Sequence, residues 1–427
     1  MKKINHPELQ ESYYIETLDN GLQVIIFHKP EFVTTTAAIA TPYGSCDFSQ
    51  IDDNGNVIAF TPGIAHFLEH KMFESEKGDI MDIFSQLGAS VNAFTSMTET
   101  VYYFSISSNE VKIPLELLLD FVQRLEISEE SVEKEKGIIA EELKMYLQMP
   151  DIRLIFELLK NIYQNHPIQY DIGGSVDSIY RITKEDLINC HQINYHPSKM
   201  VLVISSPINP KYLLQIIVEN QKAKSFPIVR NVKRFYTSEP LQCALNKNEI
   251  EMEVAQNKIS LAFKINLAEI DLKKRLKTEW ALKYLLDAHY SSMNPQYQSW
   301  IDEKKINDFF GYEVSIGEDF GFIIFYGEHE YTEIFVDFIL ESWKTIQDSI
   351  MNEEQLTRLK NRYFGQTIML LNVMGEICFS YIRSAFAGVS FFDSVKLIQE
   401  IGLADVVTSY QLIDTENHTI LKIMKKN

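Results

Sequence analysis

The sequence predicts an α+β fold of two pseudo-repeated α/β halves, each a mixed or antiparallel sheet packed with helices, and three observations carry that expectation. The first is length: 427 residues exceed one ordinary domain of roughly 100–200 residues. The second is the alternation of short β-branched runs with longer segments whose apolar residues recur every three or four positions. The third is a strand-first order of elements that begins again after residue 245. The expected division is residues 1–225, a linker over 226–245 carrying Pro227 and Pro240, and residues 246–427.

The opening reads as a β-hairpin. Residues 13–17 alternate, Asp19-Asn20-Gly21 is a turn signal, and residues 22–27 are β-branched and apolar. A strand over 34–41 follows. Thr61-Pro62-Gly63 offers a cap and a first-turn proline for a helix over 64–73. Residues 90–96 and 100–107 are expected as neighbouring strands, and 113–125 and 129–147 as helices. Further helices are expected near 152–164 and 184–195, and a buried strand over 200–205. In the second half, strands over 258–265 and 321–326 accompany helices near 274–289 and 330–350.

The chain is 45% hydrophobic and 23% charged, enough apolar content for a sizeable core. A formal net charge of −19 repels phosphate backbones, so nucleic acid is excluded as the expected partner. Cys46, Cys190, Cys243 and Cys378 are widely spaced, which predicts neither a disulfide framework nor a thiolate metal site and points to a reducing, cytoplasmic location. Residues after Met1-Lys2-Lys3 are polar, and no run of about 18 apolar residues follows, so neither a secretory leader nor a membrane span is expected.

His66-Phe67-Leu68-Glu69-His70 places two imidazoles four residues apart, on one face of a helix, aimed at a common point. Glu69 lies beside both. At about 100° per residue, Val132, Glu135, Ile139, Glu142, Leu143 and Tyr146 form one stripe of the helix after Ser128, so two carboxylates share a buried face while Glu141, Lys134 and Glu130 face solvent. A buried acid needs a partner, and a metal ion supplies one. Catalytic zinc commonly takes three protein ligands, and His66, His70 and Glu142 make such a set. Glu135 would orient a ligand histidine from behind; a buried salt bridge is its plainer reading.

His66-x-x-Glu69-His70 followed by Glu135-x6-Glu142 resembles the inverzincin metallopeptidases, among them pitrilysin, insulysin and the mitochondrial processing peptidase. Leu18-Asp19-Asn20-Gly21-Leu22, Tyr43-Gly44-Ser45, Gly88-Ala89, Asn92-Ala93-Phe94-Thr95 and Thr100-Val101-Tyr102-Tyr103 extend the resemblance over the first ~230 residues. The segments 68–74 and 132–139 are similar to the short, two-domain bacterial branch. The second half resembles that branch more diffusely, through residues 297–312 and Tyr363-Phe364-Gly365.

The resemblance implies a zinc endopeptidase with one Zn2+ per chain, held in residues 1–225 by His66, His70 and Glu142, with Glu69 as general base. It implies that Asn92, Ala93, Phe94 and Thr95 form a strand edge that pairs with an extended peptide. Many relatives carry an arginine and a tyrosine in the second half that grip the substrate carbonyl, and Asp302 stands where that arginine would be. The implied partner is a similar zinc-lacking chain supplying that clamp in a heterodimer, with a homodimer as second choice. The competing expectation is a non-catalytic structural or peptide-binding relative acting as one subunit of a heterodimer. His166, His196, His289 and His329 are read as structural, and the aromatic stretch 379–392 as core or interface.

Overall fold

The computed structural model describes residues 1–75, 78–267, 270–347 and 350–426. The chain forms two compact units. One comprises Met1–Lys144, Asp171–Tyr236 and Ile368–Phe392, and the other Met145–Tyr170, Thr237–Thr367 and Asp393–Asn427. The polypeptide therefore passes between units five times, where the sequence suggested one passage through 226–245.

The first unit is built on a seven-stranded sheet. Its strands are β1 (Lys2–His6), β2 (Glu11–Thr17), β3 (Gln23–His28), β4 (Thr35–Thr41), β5 (Ala89–Thr95), β6 (Thr100–Ile106) and β7 (Val201–Ser206), in the spatial order β1-β2-β3-β7-β4-β6-β5. β2 and β3 are the expected hairpin. Every residue of β4 is buried, because both faces of the sheet are covered. One face carries helix α1 (Ile64–Met72), α2 (Lys112–Gln123) and α3 (Glu129–Leu147), whose Phe67, Leu118 and Ile139 join Ile26, Ile39, Tyr102 and Leu202 in a single core.

The other face is covered by a segment from far along the chain. Helix α4 (Met374–Phe386) packs on β4 and β7, with Phe379 edge-on against Phe94 and Tyr103. Phe392 stacks on His6 and Tyr13. The aromatic stretch thus serves as core, of the first unit.

The second unit holds a five-stranded sheet of β8 (Lys247–Met252), β9 (Lys258–Lys264), β10 (Gly311–Ile316), β11 (Gly321–Glu328) and β12 (His418–Lys425), ordered β8-β12-β9-β11-β10. In chain order this is first, fifth, second, fourth, third, the order of β3-β7-β4-β6-β5. Polarity repeats as well: β3 with β7 and β8 with β12 are parallel, and every other neighbouring pair in both series is antiparallel. The pseudo-repeat inferred from element order is therefore a repeat of topology. Helices Leu272–Tyr290 and Thr332–Ile346 contribute Tyr284, Leu285, Ile339 and Trp343 to this unit's core. The second of these was expected to reach residue 350; residues 348 and 349 lie outside the described residues.

Part of the expected linker is pinned. Glu239 accepts backbone N–H groups of Gln164, Asn165 and His166 at 2.7–3.0 Å and the buried Lys264 ammonium at 2.5 Å. Lys264 also donates to the carbonyls of Ile162, Pro240 and Gln242. Burial alone would push the Glu239 pKa up, but these donors outweigh it and hold it below the usual carboxylate range. Glu239→Ala removes the counter-charge of a buried ammonium and the acceptor of three amides, so urea unfolding is expected to show a loss of about 3 kcal/mol. A depressed folded pKa contributes stability above the unfolded value and loses it as pH falls through the folded one. The gap between wild type and variant is therefore expected at neutral pH and should close below about pH 4.

Candidate metal centre

Helix α1 begins at Ile64, where the sequence placed it, but without the expected cap and first-turn proline. Gly63, in the left-handed region at φ 94°, precedes the first helical residue, and Pro62 lies outside the helix. A Cβ at Gly63 would sit 2.4 Å from the Gly173 carbonyl oxygen, so both backbone conformation and close approach require glycine there. Ile64, Phe67, Leu68 and Met72 anchor the helix in the core. That leaves His66, Glu69 and His70 on its half-buried face.

Helix α3 is opened by Ser128, whose hydroxyl accepts the Ser131 N–H at 3.0 Å. Val132, Ile139 and Leu143 are buried, Glu135 and Glu142 half-buried, and Glu130, Lys134 and Glu141 exposed, as the stripe predicted. The two helices bring their polar residues together. His70 Nε2 lies 3.5 Å from Glu142 Oε2, and His66 Nε2 lies 4.0 Å from Glu142 Oε1. One donor atom from each of the three side chains falls within 4.8 Å of the others, and this is the only such His/Cys/Asp/Glu group among the described residues.

This donor set fits zinc. Two nitrogens and a carboxylate oxygen are the ligand types zinc prefers, and ligands about 2.1 Å from a tetrahedral ion stand about 3.4 Å apart. The His70 Nδ1–H donates to Glu135 Oε1 at 3.0 Å, which leaves the Nε2 lone pair for a metal. Burial, reinforced by the neighbouring His70 ring, pulls the His66 pKa down to about 4, so its imidazole is neutral at physiological pH. For His70 burial also opposes protonation, but the hydrogen bond to Glu135 and the nearby carboxylates outweigh it and the pKa rises. In Glu135 the same bond prevails over burial and the pKa falls.

Glu69 points to the end of β5, where its Oε2 accepts the Thr95 hydroxyl at 2.6 Å. Burial raises the Glu69 pKa and the Thr95 hydrogen bond partly offsets it. β5 is an edge strand. Its Phe94 side chain is engaged by Tyr103 and Phe379. Asn92 Oδ1 accepts the Ala93 N–H at 2.8 Å, capping with its own side chain an amide of that strand.

Two features of the site escaped the sequence reading. A Cβ at Gly173 would collide with Leu143 Cδ2 at 2.8 Å and come within 3.4 Å of His66 Nδ1, so the Asp171–Gly174 turn lies close against the histidine. The adjacent Gly173-Gly174 pair was the available signal. Lys71, which the sequence reading did not single out, is buried. The structural histidines behave as expected: His166 and His196 cap the turns that follow them by accepting the Ile168 and Ser198 amides, and His329 accepts the Tyr331 amide. Asp302 is exposed and accepts from Gln298. The four cysteines are buried and free, and no described helix is long and apolar enough to cross a membrane.

A repeated α/β topology with His-x-x-Glu-His on one helix and a facing glutamate on another defines the class of inverted-motif metallopeptidase folds. The chain belongs to the insulinase family, peptidase family M16. Residues 59–175 match the family described as Insulinase (Peptidase family M16), and residues 181–363 match the Peptidase M16 inactive domain. The uncharacterized zinc protease YmfH of Bacillus subtilis (strain 168) is 36% identical over 429 residues, covering 100% of both chains. The "Probable mitochondrial-processing peptidase subunit beta" of Schizosaccharomyces pombe is 31% identical over 204 residues, 47% of this chain and 43% of that one. The crystal structure of an M16-like peptidase from Alicyclobacillus acidocaldarius superposes with a TM-score of 0.92 at 31% identity, covering 99% of this chain and 100% of the other.

Proposed function

We propose that this chain is a zinc endopeptidase that cleaves extended, unfolded peptides, with one Zn2+ held by His66, His70 and Glu142 and with Glu69 as general base. The observation that carries the reading is the convergence of the two Nε2 atoms and the Glu142 carboxylate, with Glu69 beside them at the end of a sheet edge. Relatives named zinc proteases support the metal. Zinc bound there would supply Lewis acidity, making water nucleophilic near neutral pH and polarising a carbonyl.

The chain's own residues do the rest. Glu69, its basicity raised by burial, takes the proton of the attacking water and returns it to the leaving amine. The Thr95 hydroxyl holds that carboxylate in place. Glu135 fixes the His70 ring. Along β5, Asn92, Ala93, Phe94 and Thr95 offer main-chain groups to an extended peptide, whose carbonyl would take the Ala93 N–H from the Asn92 side chain. Such pairing reads backbone more than side chains, which suits leader-peptide processing or degradation of small cytoplasmic peptides.

Asp302 in place of an arginine favours a heterodimer in which a related zinc-lacking chain grips the substrate carbonyl. A relative named as a beta subunit supports an assembled form. The test is hydrolysis of a quenched unstructured peptide by the purified chain, alone and with a co-expressed homologous chain. Cleavage is expected to need both chains, to vanish with a zinc chelator and to return with added zinc. Full cleavage by the isolated chain would refute the heterodimer, and cleavage insensitive to chelation would refute the zinc peptidase.

A further inference from the structure

Behind His70 stands a residue that the proposed chemistry leaves unused. Lys71 is only 2% exposed, an unusual place for an ammonium, whose transfer out of water costs several kcal/mol unless it is paired. Its Nζ is paired with Glu74, lies 3.7 Å from Glu135 Oε2 and donates to the Ser131 carbonyl at 3.3 Å. Glu135 reaches His70 with its other oxygen, Oε1, at 3.0 Å.

Neighbouring residues on a helix diverge by about 100°, so His70 and Lys71 cannot both face one point directly. They are joined because Glu135 arrives from α3 and presents one carboxylate oxygen to each. A carboxylate held at one oxygen can still turn about its terminal torsion, which is soft. One held at both oxygens, by a ring on one side and a buried ammonium on the other, cannot turn without breaking a contact. Glu74 and the first turn of α3, through Ser131, fix the ammonium in turn.

We infer that Lys71 is a positioning residue of the metal centre: bridging Glu74 and Glu135, it locks the Glu135 carboxylate against His70 Nδ1 and so aims His70 Nε2 at the metal position. This rests on the reading of His70 as a metal ligand. It differs from a merely structural buried lysine in acting on the metal only through Glu135.

The test is zinc affinity of the full chain, measured by competition with a chromogenic chelator, with thermal melting of the metal-free proteins to establish folding. Lys71→Met keeps an unbranched side chain that tolerates burial and is expected to weaken zinc binding about 10-fold, as is Glu135→Gln, the usual size for a group supporting a ligand. The double variant is expected to bind no more weakly than Glu135→Gln alone, since both changes break one chain of contacts. Where Lys71→Met proves unstable, Lys71→Gln, which keeps a donor for the Ser131 carbonyl, takes its place with the same expected direction. Zinc affinity unchanged in the folded Lys71 variant, or a loss adding in full to that of Glu135→Gln, overturns the inference. Unchanged affinity in His70→Ala would instead overturn the metal site itself.

Discussion

Replacing Glu69 by glutamine is expected to lower kcat/KM for peptide cleavage by roughly 10²–10⁴-fold, the span of general acid–base catalysis by one side chain, while zinc content stays at one per chain. Glutamine matches glutamate in shape, and its carbonyl can still accept the Thr95 hydroxyl that now bonds Glu69 Oε2 at 2.6 Å. It cannot take a proton. Because Glu69 is not one of the three side chains whose donor atoms converge, the metal should stay bound. Paired assays of hydrolysis and metal content separate the two roles. Activity within a few-fold of wild type would remove Glu69 from the chemistry, and loss of zinc would make it a ligand.

Glu142→Ala is expected to have the larger effect on the metal. Glu142 supplies the carboxylate that both imidazole Nε2 atoms approach, at 3.5 and 4.0 Å. Removing it leaves two imidazole nitrogens, too few for a catalytic zinc site. The loss of affinity should exceed about 100-fold, the upper end for groups that only support a ligand, and cleavage should disappear with the metal. Glu141→Ala is the internal control: Glu141 is exposed on the opposite face and bonds Lys144, so zinc binding and activity should be unaltered.

The convergence of His66, His70 and Glu142 was legible because helical geometry is local. Four-residue spacing fixes where His66 and His70 project, and a count around α3 separates Glu142 from Glu141 before any tertiary contact is known. Thr95 was legible only as strand edge; its bond to Glu69 depends on how β5 meets α1. The pinning of Lys71 was hidden for the same reason, since nothing in the local sequence says that Glu74 and Glu135 enclose it.

Long-range pairing was the other blind spot. β8 lies parallel to β12 although Lys247 and Ile420 are separated by most of the second half. Helix α4 leaves the second half to cover Phe94 and Tyr103 of the first unit. Its apolar residues announced burial but not the partner, because hydrophobic burial is non-directional. The cap of α1 differed for another reason, although the helix begins at Ile64 as expected. Pro62 suggested a first helical turn, whereas the close approach of Gly173 demanded the left-handed Gly63 instead.

The most direct test of the metal centre is anomalous X-ray scattering at the zinc edge from a crystal of the zinc-loaded chain. A single peak about 2.0–2.2 Å from His66 Nε2, His70 Nε2 and a Glu142 carboxylate oxygen is the expected result. A peak elsewhere, or one at the two histidines with Glu142 turned away, would contradict it.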